Sequence, residues 1–262
     1  MNQSVLVTAG ASGIGREIAR AFAVQGAKVV VRDIDSKALE TFAQEIPAIT
    51  TVVCDVSKRH DIEHMVEAAI AVLAGLDVLV NNAGISGSTT PVEKSNPDDW
   101  EKVVQVNLIG TFNVTRLAIP HLKKSSAGVI IIMSSGAGRF GYANRSAYSA
   151  TKWALIGFTT TLSIELGEFG KCGSDTHVLV IHYSCRGFVR RAIGRYLSYM
   201  LEAKNASVRS GSNNHFTDCS FDPSTDSKLS LRSRGDFHPR DSRALNRAMT
   251  QHPPASSLAK PC

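Results

Sequence analysis

The stretch VTAGASGIG, residues 7–15, decides how this chain folds. The apolar residues of SVLVT (4–8) are typical of a short buried strand, and the apolar residues after the stretch recur at helical spacing. Its glycines, Gly10, Gly13 and Gly15, permit a tight turn between the strand and the helix. The stretch therefore predicts a strand, a glycine-rich turn and a helix in succession.

The same alternation of short apolar runs and helix-like segments continues to about residue 170. Runs such as VVV and III, without polar alternation, are typical of strands that are covered on both faces. We predict strands at 4–8, 28–32, 50–54, 77–80 and 129–133, and helices at about 13–25, 36–45, 59–73, 98–123 and 148–167. Strands that alternate with crossover helices predict the α/β class, as a doubly wound, mostly parallel sheet in a Rossmann-like three-layer α/β/α arrangement.

The glycine-rich turn is also a candidate phosphate site, because a pyrophosphate can approach its backbone and meet the N–H groups that begin the helix. A glycine-rich run alone is a weak signal, but here a strand precedes it, a helix follows it, and Asp33 ends the next strand. A carboxylate there can accept hydrogen bonds from both ribose hydroxyls and repels a 2′-phosphate, so Asp33 favours NAD over NADP. Arg32 is a counter-signal, since a guanidinium could pair with that phosphate.

Two further segments contribute to the predicted cofactor site. CDV (54–56) ends the third strand and brings Asp55 within reach of an adenine amine, and NNAG (81–84) follows the fourth strand at the ligand crevice. An ordinary turn would also explain NNAG. The predicted cofactor-binding residues are Thr8, Gly10, Ser12, Gly13, Ile14, Gly15, Asp33, Asp55, Val56, Asn82, Ala83, Gly84, Tyr148 and Lys152.

The segment SAYSATK, residues 146–152, supplies the candidate catalytic residues. Tyr148 and Lys152 are four residues apart and share one face of a helix. A lysine ammonium near a phenol stabilises the phenolate, as a general acid and base requires. A Tyr–Lys pair at this spacing is also frequent by chance. Ser134 and Ser135 end the fifth strand, so a serine hydroxyl can reach the same crevice and hold a substrate carbonyl.

Together these motifs resemble the short-chain dehydrogenase/reductase family over about residues 1–170. The family pattern combines a TGxxxGxG loop, NNAG, and an Asn-Ser-Tyr-Lys catalytic set with YxxxK, which Tyr148 and Lys152 match. The family serine lies thirteen residues before the tyrosine, which selects Ser135. Asn107, in VNLIG, matches the family asparagine.

One position departs from the family loop. Ala9 stands where the family usually has its first glycine, with Gly10 immediately after it. A methyl group is a small change, so we expect cofactor binding to survive.

The resemblance implies an NAD(P)-dependent oxidoreductase that transfers a hydride between nicotinamide and a secondary alcohol or ketone. The implied substrate is 3-oxoacyl reductase-like or polyol/sugar dehydrogenase-like. Tyr148 would pass a proton to or from the substrate oxygen, and Lys152 would hold the nicotinamide ribose and favour the phenolate. Ser135 would orient the carbonyl, and Asn107 would anchor a water in a proton relay.

Residues 171–262 differ in composition from the part before them. Residues 1–170 hold 15 Lys and Arg against 16 Asp and Glu, whereas the last third holds 14 against 7 and therefore carries the net positive charge. The RVNxxxPG and VDGG-like strands that continue the family pattern are absent from it. HVLVIHY (177–183) is a candidate sixth strand and 187–204 a candidate amphipathic helix, while the Ser- and Arg-rich remainder predicts a poorly ordered tail without a seventh strand.

We therefore predict a dinucleotide-binding and catalytic domain over residues 1–205 and an atypical basic tail over residues 206–262. Three hypotheses remain open for residues 171–262: a divergent substrate region, a shifted reading frame or aberrant splice, and a nucleic-acid-binding tail. Scattered arginines that acids interrupt argue against nucleic acid. If the second hypothesis holds, the alternative to an enzyme is a catalytically impaired cofactor-binding protein from a frameshifted or truncated family gene.

Other classes of partner are not predicted. No charged and apolar leader and no run long enough to cross a bilayer is present, so we expect a cytoplasmic protein without a membrane partner. No metal site is predicted, because we interpret His60 and His64, four residues apart, as part of a solvated helix face. The expected partners are a small alcohol or ketone substrate and, from the resemblance, a second copy. A homodimer would form through the helices near 98–123 and 148–167, and a tetramer is not expected without a seventh strand.

Overall fold

The chain folds into a sheet with helices on both faces. A computed structural model describes residues 3–126 and 128–167, together with three short strands beyond them. The strands are β1 (Ser4–Thr8), β2 (Lys28–Asp33), β3 (Ile49–Val53), β4 (Val78–Asn81), β5 (Val129–Met133), β6 (His177–Ile181), β7 (Phe216–Phe221) and β8 (Leu229–Arg232). The helices are α1 (Gly13–Val24), α2 (Ser36–Glu45), α3 (Arg59–Leu73), α4 (Pro97–Val104), α5 (Thr111–Leu122) and α6 (Ser146–Gly167). The predicted Rossmann-like α/β class is confirmed. The helix predicted at 187–204 lies outside the described residues.

The eight strands form one sheet in the order β3-β2-β1-β4-β5-β6-β7-β8. Neighbouring strands run parallel, except that β7 and β8 are antiparallel. Because β1 pairs with β2 on one side and with β4 on the other, the order of strands reverses at β1. At such a switch point the carboxyl ends of the strands border a ligand crevice. Thr8 at the end of β1 and Asn81 at the end of β4 both border it.

Two apolar cores cover the two faces of the sheet. Val5 and Val7 of β1 pack with residues of α1 and α2, whereas Leu6 between them packs with residues of α3, α5 and α6. This is the period-two alternation of a strand. All residues of β5 are buried. Burial on both faces explains why the central strands consist of continuous apolar runs.

The single long helix predicted at 98–123 is divided in the structure. Between α4 and α5 the residues Gln105–Gly110 form a turn of π-helix, which contains the fully buried Asn107. Such insertions are frequent at functional sites, because the extra residue re-aims one side chain without ending the helix. The spacing of apolar residues does not reveal this π-helical turn, because the same face of the helix is buried before and after the turn.

The prediction that the tail contributes no seventh strand is wrong. β7 pairs in parallel with β6, and β8 pairs with β7. The sequence of β7, FTDCSF, contains no run of four apolar residues, and such a run was the criterion for a strand there. Backbone pairing with a neighbouring strand, rather than an apolar run, makes this segment a strand.

Within the part of the chain that the structure describes, no helix is long and apolar enough to cross a membrane.

Candidate active site

The glycine-rich turn is fastened to the end of β4 by side chains of both predicted motifs. Asn82 donates through Nδ2 to the carbonyl oxygens of Thr8 at 3.2 Å and Ala9 at 2.9 Å. The Thr8 hydroxyl oxygen accepts from the N–H groups of Asn82 at 2.9 Å and Ala83 at 3.0 Å. NNAG is therefore more than an ordinary turn, because its side chains fix the loop that borders the crevice.

The start of α1 differs from the starts of two other helices in a way that suits a phosphate. Asp35 caps α2 and Asn96 caps α4 through side-chain oxygens, but the side chain of Ser12, at the start of α1, makes no capping hydrogen bond. The first N–H groups of a helix need an acceptor and carry partial positive charge. The described residues therefore fit a dinucleotide, whose pyrophosphate would lie at this helix start between Gly13 and Gly15.

Ala9 adopts a left-handed backbone conformation, with φ at 50°. Glycine adopts this conformation freely, whereas a residue with a Cβ atom is strained there by about 1–2 kcal/mol. This explains why the resembling family usually has glycine at the position. The strain is local and small, so it is compatible with an intact turn.

Gly15 allows three parts of the turn to meet. A Cβ atom on Gly15 would collide with the Ala9 carbonyl oxygen and lie 2.5 Å from Asn82 Nδ2 and 2.9 Å from Gly10 Cα. Two of these neighbours are backbone atoms that cannot move away without opening the turn. Glycine is therefore required at position 15, because neighbouring atoms approach its Cα too closely to leave room for a side chain.

Replacing Gly15 by alanine is expected to lower the free energy of unfolding by about 1–3 kcal/mol, as overpacking does, and to weaken NADH binding. Urea denaturation and NADH fluorescence titration measure the two effects. Gly141→Ala is the matched control, because a Cβ atom there meets nothing within 4 Å. A Gly15→Ala chain as stable and as tightly bound to NADH as the control would contradict this account.

Asp33 and Arg32, at the end of β2, have different surroundings. The Asp33 carboxylate accepts hydrogen bonds from the N–H groups of Ala11 at 3.1 Å and Ile34 at 2.8 Å, which hold it beside the glycine-rich turn. Arg32 is 2% exposed and donates through Nη1 to the carbonyl oxygen of Cys54 at 2.5 Å. The guanidinium is thus held by the backbone directly after β3. Burial raises the pKa of the neighbouring Cys54 thiol, although Arg32 opposes that effect.

Asp55 and Val56, which are predicted to bind the cofactor, follow the end of β3. The Asp55 carboxylate accepts from the Ser57 N–H at 2.9 Å and from the Ser57 hydroxyl at 2.7 Å. Burial opposes ionisation of Asp55, but these hydrogen bonds outweigh it and lower the pKa of the carboxyl. The Asp55 N–H in turn donates to Asp61 of α3 at 3.3 Å. Val56 is buried in the core on that face.

Gly84, Asn107 and Lys152 come from three separate elements and meet at one point. A Cβ atom on Gly84 would lie 3.2 Å from Asn107 Oδ1 and 3.5 Å from Lys152 Nζ. Asn107 accepts from the Ile85 N–H at 2.8 Å and donates to the Ile85 carbonyl oxygen at 2.9 Å. The π-helical turn therefore aims Asn107 at the end of NNAG, next to the lysine of α6.

Among the titratable residues at the crevice, Lys152 has the pKa that departs furthest from its ordinary value. It is 2% exposed, donates from Nζ to the Met133 carbonyl oxygen at 2.7 Å, and lies 5.6 Å from the centroid of the Tyr148 ring. Burial lowers the pKa of Lys152 to about 8. Its ammonium is therefore costly to bury, and a nearby phenolate would stabilise it.

The two serines at the end of β5 have different partners. The Ser134 hydroxyl donates to the carbonyl oxygen of Lys152 at 2.9 Å and is fully buried. Ser135 begins the next turn, where its Oγ accepts from the Ala137 N–H at 3.2 Å. Ser134 thus anchors α6, which supports Ser135 as the serine that meets a substrate.

Thr151 is a residue of the site that the sequence analysis missed. Its hydroxyl oxygen accepts from Asn107 Nδ2 at 3.1 Å and donates to the Tyr148 carbonyl oxygen at 2.9 Å. It therefore links the predicted asparagine to the helix turn that carries the tyrosine. Its position three residues after Tyr148 was the available signal, because residues at that spacing are neighbours on a helix.

Tyr148 lines an open crevice, and most of the residues that line it with Tyr148 are of polar types. The other lining residues are Ser86, Gly87, Ser88, Thr90, Ser95, Asp99, Trp100, Val103, Asn144, Arg145, Ser146 and Ala147. Arg145 donates through Nη1 to the Ser86 and Gly87 carbonyl oxygens at 3.4 Å. Serine, threonine and asparagine residues thus border the approach to the tyrosine, together with Asp99, Trp100 and Val103.

Two proteins of known activity resemble this chain in sequence. L-fucose dehydrogenase of Bos taurus is 36% identical over 166 residues, which are 63% of this chain and 61% of that protein. The 2-dehydro-3-deoxy-L-rhamnonate dehydrogenase (NAD(+)) of Sphingomonas sp. (strain SKA58) is 36% identical over 165 residues, which are 63% of this chain and 66% of that protein. The chain therefore spans less than two thirds of the length of these relatives.

A solved structure and a family profile agree with this similarity. The crystal structure of 3-ketoacyl-(acyl-carrier-protein) reductase from Brucella melitensis, complexed with NADH, matches with a TM-score of 0.64 and 36% sequence identity, over 69% of this chain and 74% of that chain. The profile described as short chain dehydrogenase matches residues 3–174, which include the glycine-rich turn, NNAG and the Tyr148–Lys152 pair. Because that match covers more than half of the chain, the protein belongs to the short chain dehydrogenase family.

Proposed function

We propose that this protein is an NAD(P)-dependent oxidoreductase that interconverts a secondary alcohol and a ketone. The observation that carries the proposal is the convergence of Gly84, Asn107 and Lys152 beside Tyr148, at the switch point that a glycine-rich turn borders. When it is bound, the nicotinamide cofactor supplies the hydride or accepts it. The chain positions the reactants and moves the proton.

Each catalytic candidate has a role that follows from its surroundings. Tyr148 faces the open crevice and passes a proton to or from the substrate oxygen. Lys152 stabilises the phenolate and holds the nicotinamide ribose. Ser135 donates a hydrogen bond to the substrate oxygen, and Asn107 anchors the water that relays the proton.

The substrate is 3-oxoacyl-like or polyol- and sugar-like, and the crevice favours the second class. Its described lining includes Ser86, Ser88, Asn144 and Ser146, residue types whose side chains can pair with the hydroxyls of a polyol. The two relatives named for L-fucose and for 2-dehydro-3-deoxy-L-rhamnonate support the same class.

The test has two stages on the full chain. NADH fluorescence is titrated first, which reports cofactor binding without any substrate. Polyols, sugars, hydroxy acids and 3-oxoacyl thioesters are then screened at 340 nm with NAD⁺ or NADH. Turnover of any secondary alcohol or ketone supports the proposal, and NADH binding without turnover across the screen opposes it.

We infer that the preferred cofactor is NAD. Asp33 is fixed beside the glycine-rich turn, where a carboxylate can bind the ribose hydroxyls. Arg32, the counter-signal of the sequence analysis, is buried and engaged on Cys54, so it is not presented to a 2′-phosphate.

Replacing Asp33 by asparagine is expected to weaken NADH binding about tenfold, because a hydrogen bond to a charged acceptor exceeds a neutral one by about 1–1.5 kcal/mol. NADPH binding is expected to strengthen, since the repulsion of the 2′-phosphate is removed. Fluorescence titrations with both cofactors measure the change. Asp35→Asn removes a nearby charge but keeps the cap of α2, and serves as the control. An unchanged preference in Asp33→Asn would show that another residue selects the cofactor.

A second candidate is a cofactor-binding protein with impaired catalysis. The observation that favours it is the end of the family match at residue 174, after every cofactor and catalytic candidate but before most of the basic last third. Such a protein would bind NADH and turn over nothing. Translation of the coding DNA in all three frames tests its origin, since a frameshift predicts RVNxxxPG-like and VDGG-like text in another frame after Gly170.

The homodimer also remains a proposal. Apolar side chains on the outer faces of the π-helical turn, α5 and α6 are exposed: Ile109 by 37%, Phe112 by 46%, Trp153 by 51% and Ile164 by 42%. A second copy packed on these helices would bury them. A cytoplasmic location remains a prediction from the sequence.

Replacing Phe112 by glutamate is expected to convert a dimer of the 28.1 kDa chain into a monomer, because a charge would be buried at the interface. Sedimentation velocity measures the mass. Val72→Glu, on the outer face of α3 and 50% exposed, is the control and should leave the dimer intact. If the parent sediments as a monomer, the dimer proposal fails.

A further inference from the structure

His60 and His64, on α3, bring two imidazole edges together outside the catalytic crevice. Their Nε2 atoms are 3.0 Å apart and their ring centroids 4.2 Å apart. Both residues are exposed to solvent. Helical spacing alone places two histidines on one face, but the structure adds that their Nε2 atoms converge.

The separation of the two nitrogens fits a chelated transition metal. With metal–nitrogen bonds of about 2.05 Å, atoms 3.0 Å apart subtend about 94° at the metal. That angle is close to the 90° of square-planar and octahedral coordination and well below the tetrahedral angle. Square-planar or octahedral preferences and imidazole ligands are typical of Cu²⁺ and Ni²⁺ rather than of structural Zn²⁺.

The charges on α3 also suit a cation. The helix carries Asp61, Glu63 and Glu67 against Arg59 as its only Lys or Arg. His60 is in the first turn, where the helix dipole disfavours a cation. The carboxylates oppose that effect.

We propose that His60 and His64 form a bidentate site for a divalent transition-metal ion, with Cu²⁺ and Ni²⁺ preferred over Zn²⁺. On binding, the hydrogen bond between the two Nε2 atoms is lost, and the proton on one Nε2 moves to Nδ1 of the same ring, so no net proton is released. Within the described residues no three His, Cys, Asp or Glu side chains are grouped to hold a metal, so water completes the coordination. The site does not depend on the proposed catalytic function.

The test uses the full chain and Ni²⁺ as the probe, because copper would also oxidise cysteine thiols. Calorimetric titrations compare the parent with His60→Gln, His64→Gln and the control His121→Gln, a histidine on α5. Each α3 variant is expected to lose one bound Ni²⁺ relative to the parent, whereas the control keeps it. The comparison by difference is needed because other histidines and cysteines of the chain also bind metals.

Thermal unfolding supplies a second readout. Ni²⁺ at about a hundredfold over its dissociation constant should raise the parent Tm by about 5 °C or more. The rise in Tm that Ni²⁺ causes should be smaller in the α3 variants than in the parent. Far-UV spectra check that the variants fold. Equal Ni²⁺ stoichiometry in parent and α3 variants, or loss from only one of them, would overturn the chelate. The same difference titration is repeated with Zn²⁺, and Zn²⁺ binding tighter than Ni²⁺ at this site would overturn the near-90° geometry.

Discussion

Replacing Tyr148 by phenylalanine is expected to lower kcat about a thousandfold, within the range of general acid–base catalysis, while the NADH dissociation constant stays the same. Tyr148 lines the open crevice, and its ring centroid lies 5.6 Å from Lys152 Nζ. Phenylalanine keeps the ring and its packing but cannot donate or accept a proton. The loss should therefore appear in kcat rather than in cofactor affinity.

The matched control for this experiment is Tyr142→Phe. Tyr142 is in the connection between β5 and α6, six residues before Tyr148, and is 65% exposed. It should keep the parental kcat. If Tyr148→Phe turned over substrate as fast as the parent, Tyr148 would not be the acid and base. If both bound NADH and the parent turned over nothing, the impaired cofactor-binding protein would be favoured instead.

Replacing Lys152 by methionine is expected to have two opposite effects. The kcat should fall about a thousandfold, because no cation would then stabilise the Tyr148 phenolate. The apo chain should become more stable at pH 7, because the removed ammonium is buried and has no carboxylate partner among the described residues. A kinetic loss together with a gain in stability distinguishes a functional lysine from a structural one.

The size and pH dependence of the gain follow from the pKa. Burial lowers the pKa of Lys152 to about 8 from 10.5, and each pKa unit corresponds to about 1.36 kcal/mol, so burial of the ammonium costs about 3 kcal/mol. Between the two values the unfolded chain binds more protons than the folded chain, so folding of the parent gains stability as pH rises. The cost is fully present below pH 8 and is lost by about pH 10.5.

Urea denaturation of the apo chains at pH 7 and pH 9.5 measures this difference. The advantage of Lys152→Met over the parent should be largest at pH 7 and should shrink at pH 9.5. Lys124→Met, at an exposed lysine, is the control, and surface substitutions stay within about 0.5 kcal/mol. An advantage that is independent of pH would mean that packing, rather than the buried charge, is responsible.

Much of the fold was predictable because it depends on local spacing. Apolar runs and helical periods located five strands and their helices with ends close to those observed. The glycine-rich turn and the Tyr148–Lys152 pair were also readable, since turn chemistry and four-residue spacing have the same meaning in any helix. β7 was missed because pairing with β6, rather than an apolar run, makes it a strand.

The sequence by itself therefore determined the class of fold, the family resemblance and the residue types at the crevice. Only the tertiary structure decided which atoms meet: Asn107 against Gly84, Ser134 on the backbone of α6, and Arg32 turned to Cys54. Those partners are 18 to 23 residues apart in the chain. Contacts at that separation follow from strand order and helix packing, which no local spacing encodes.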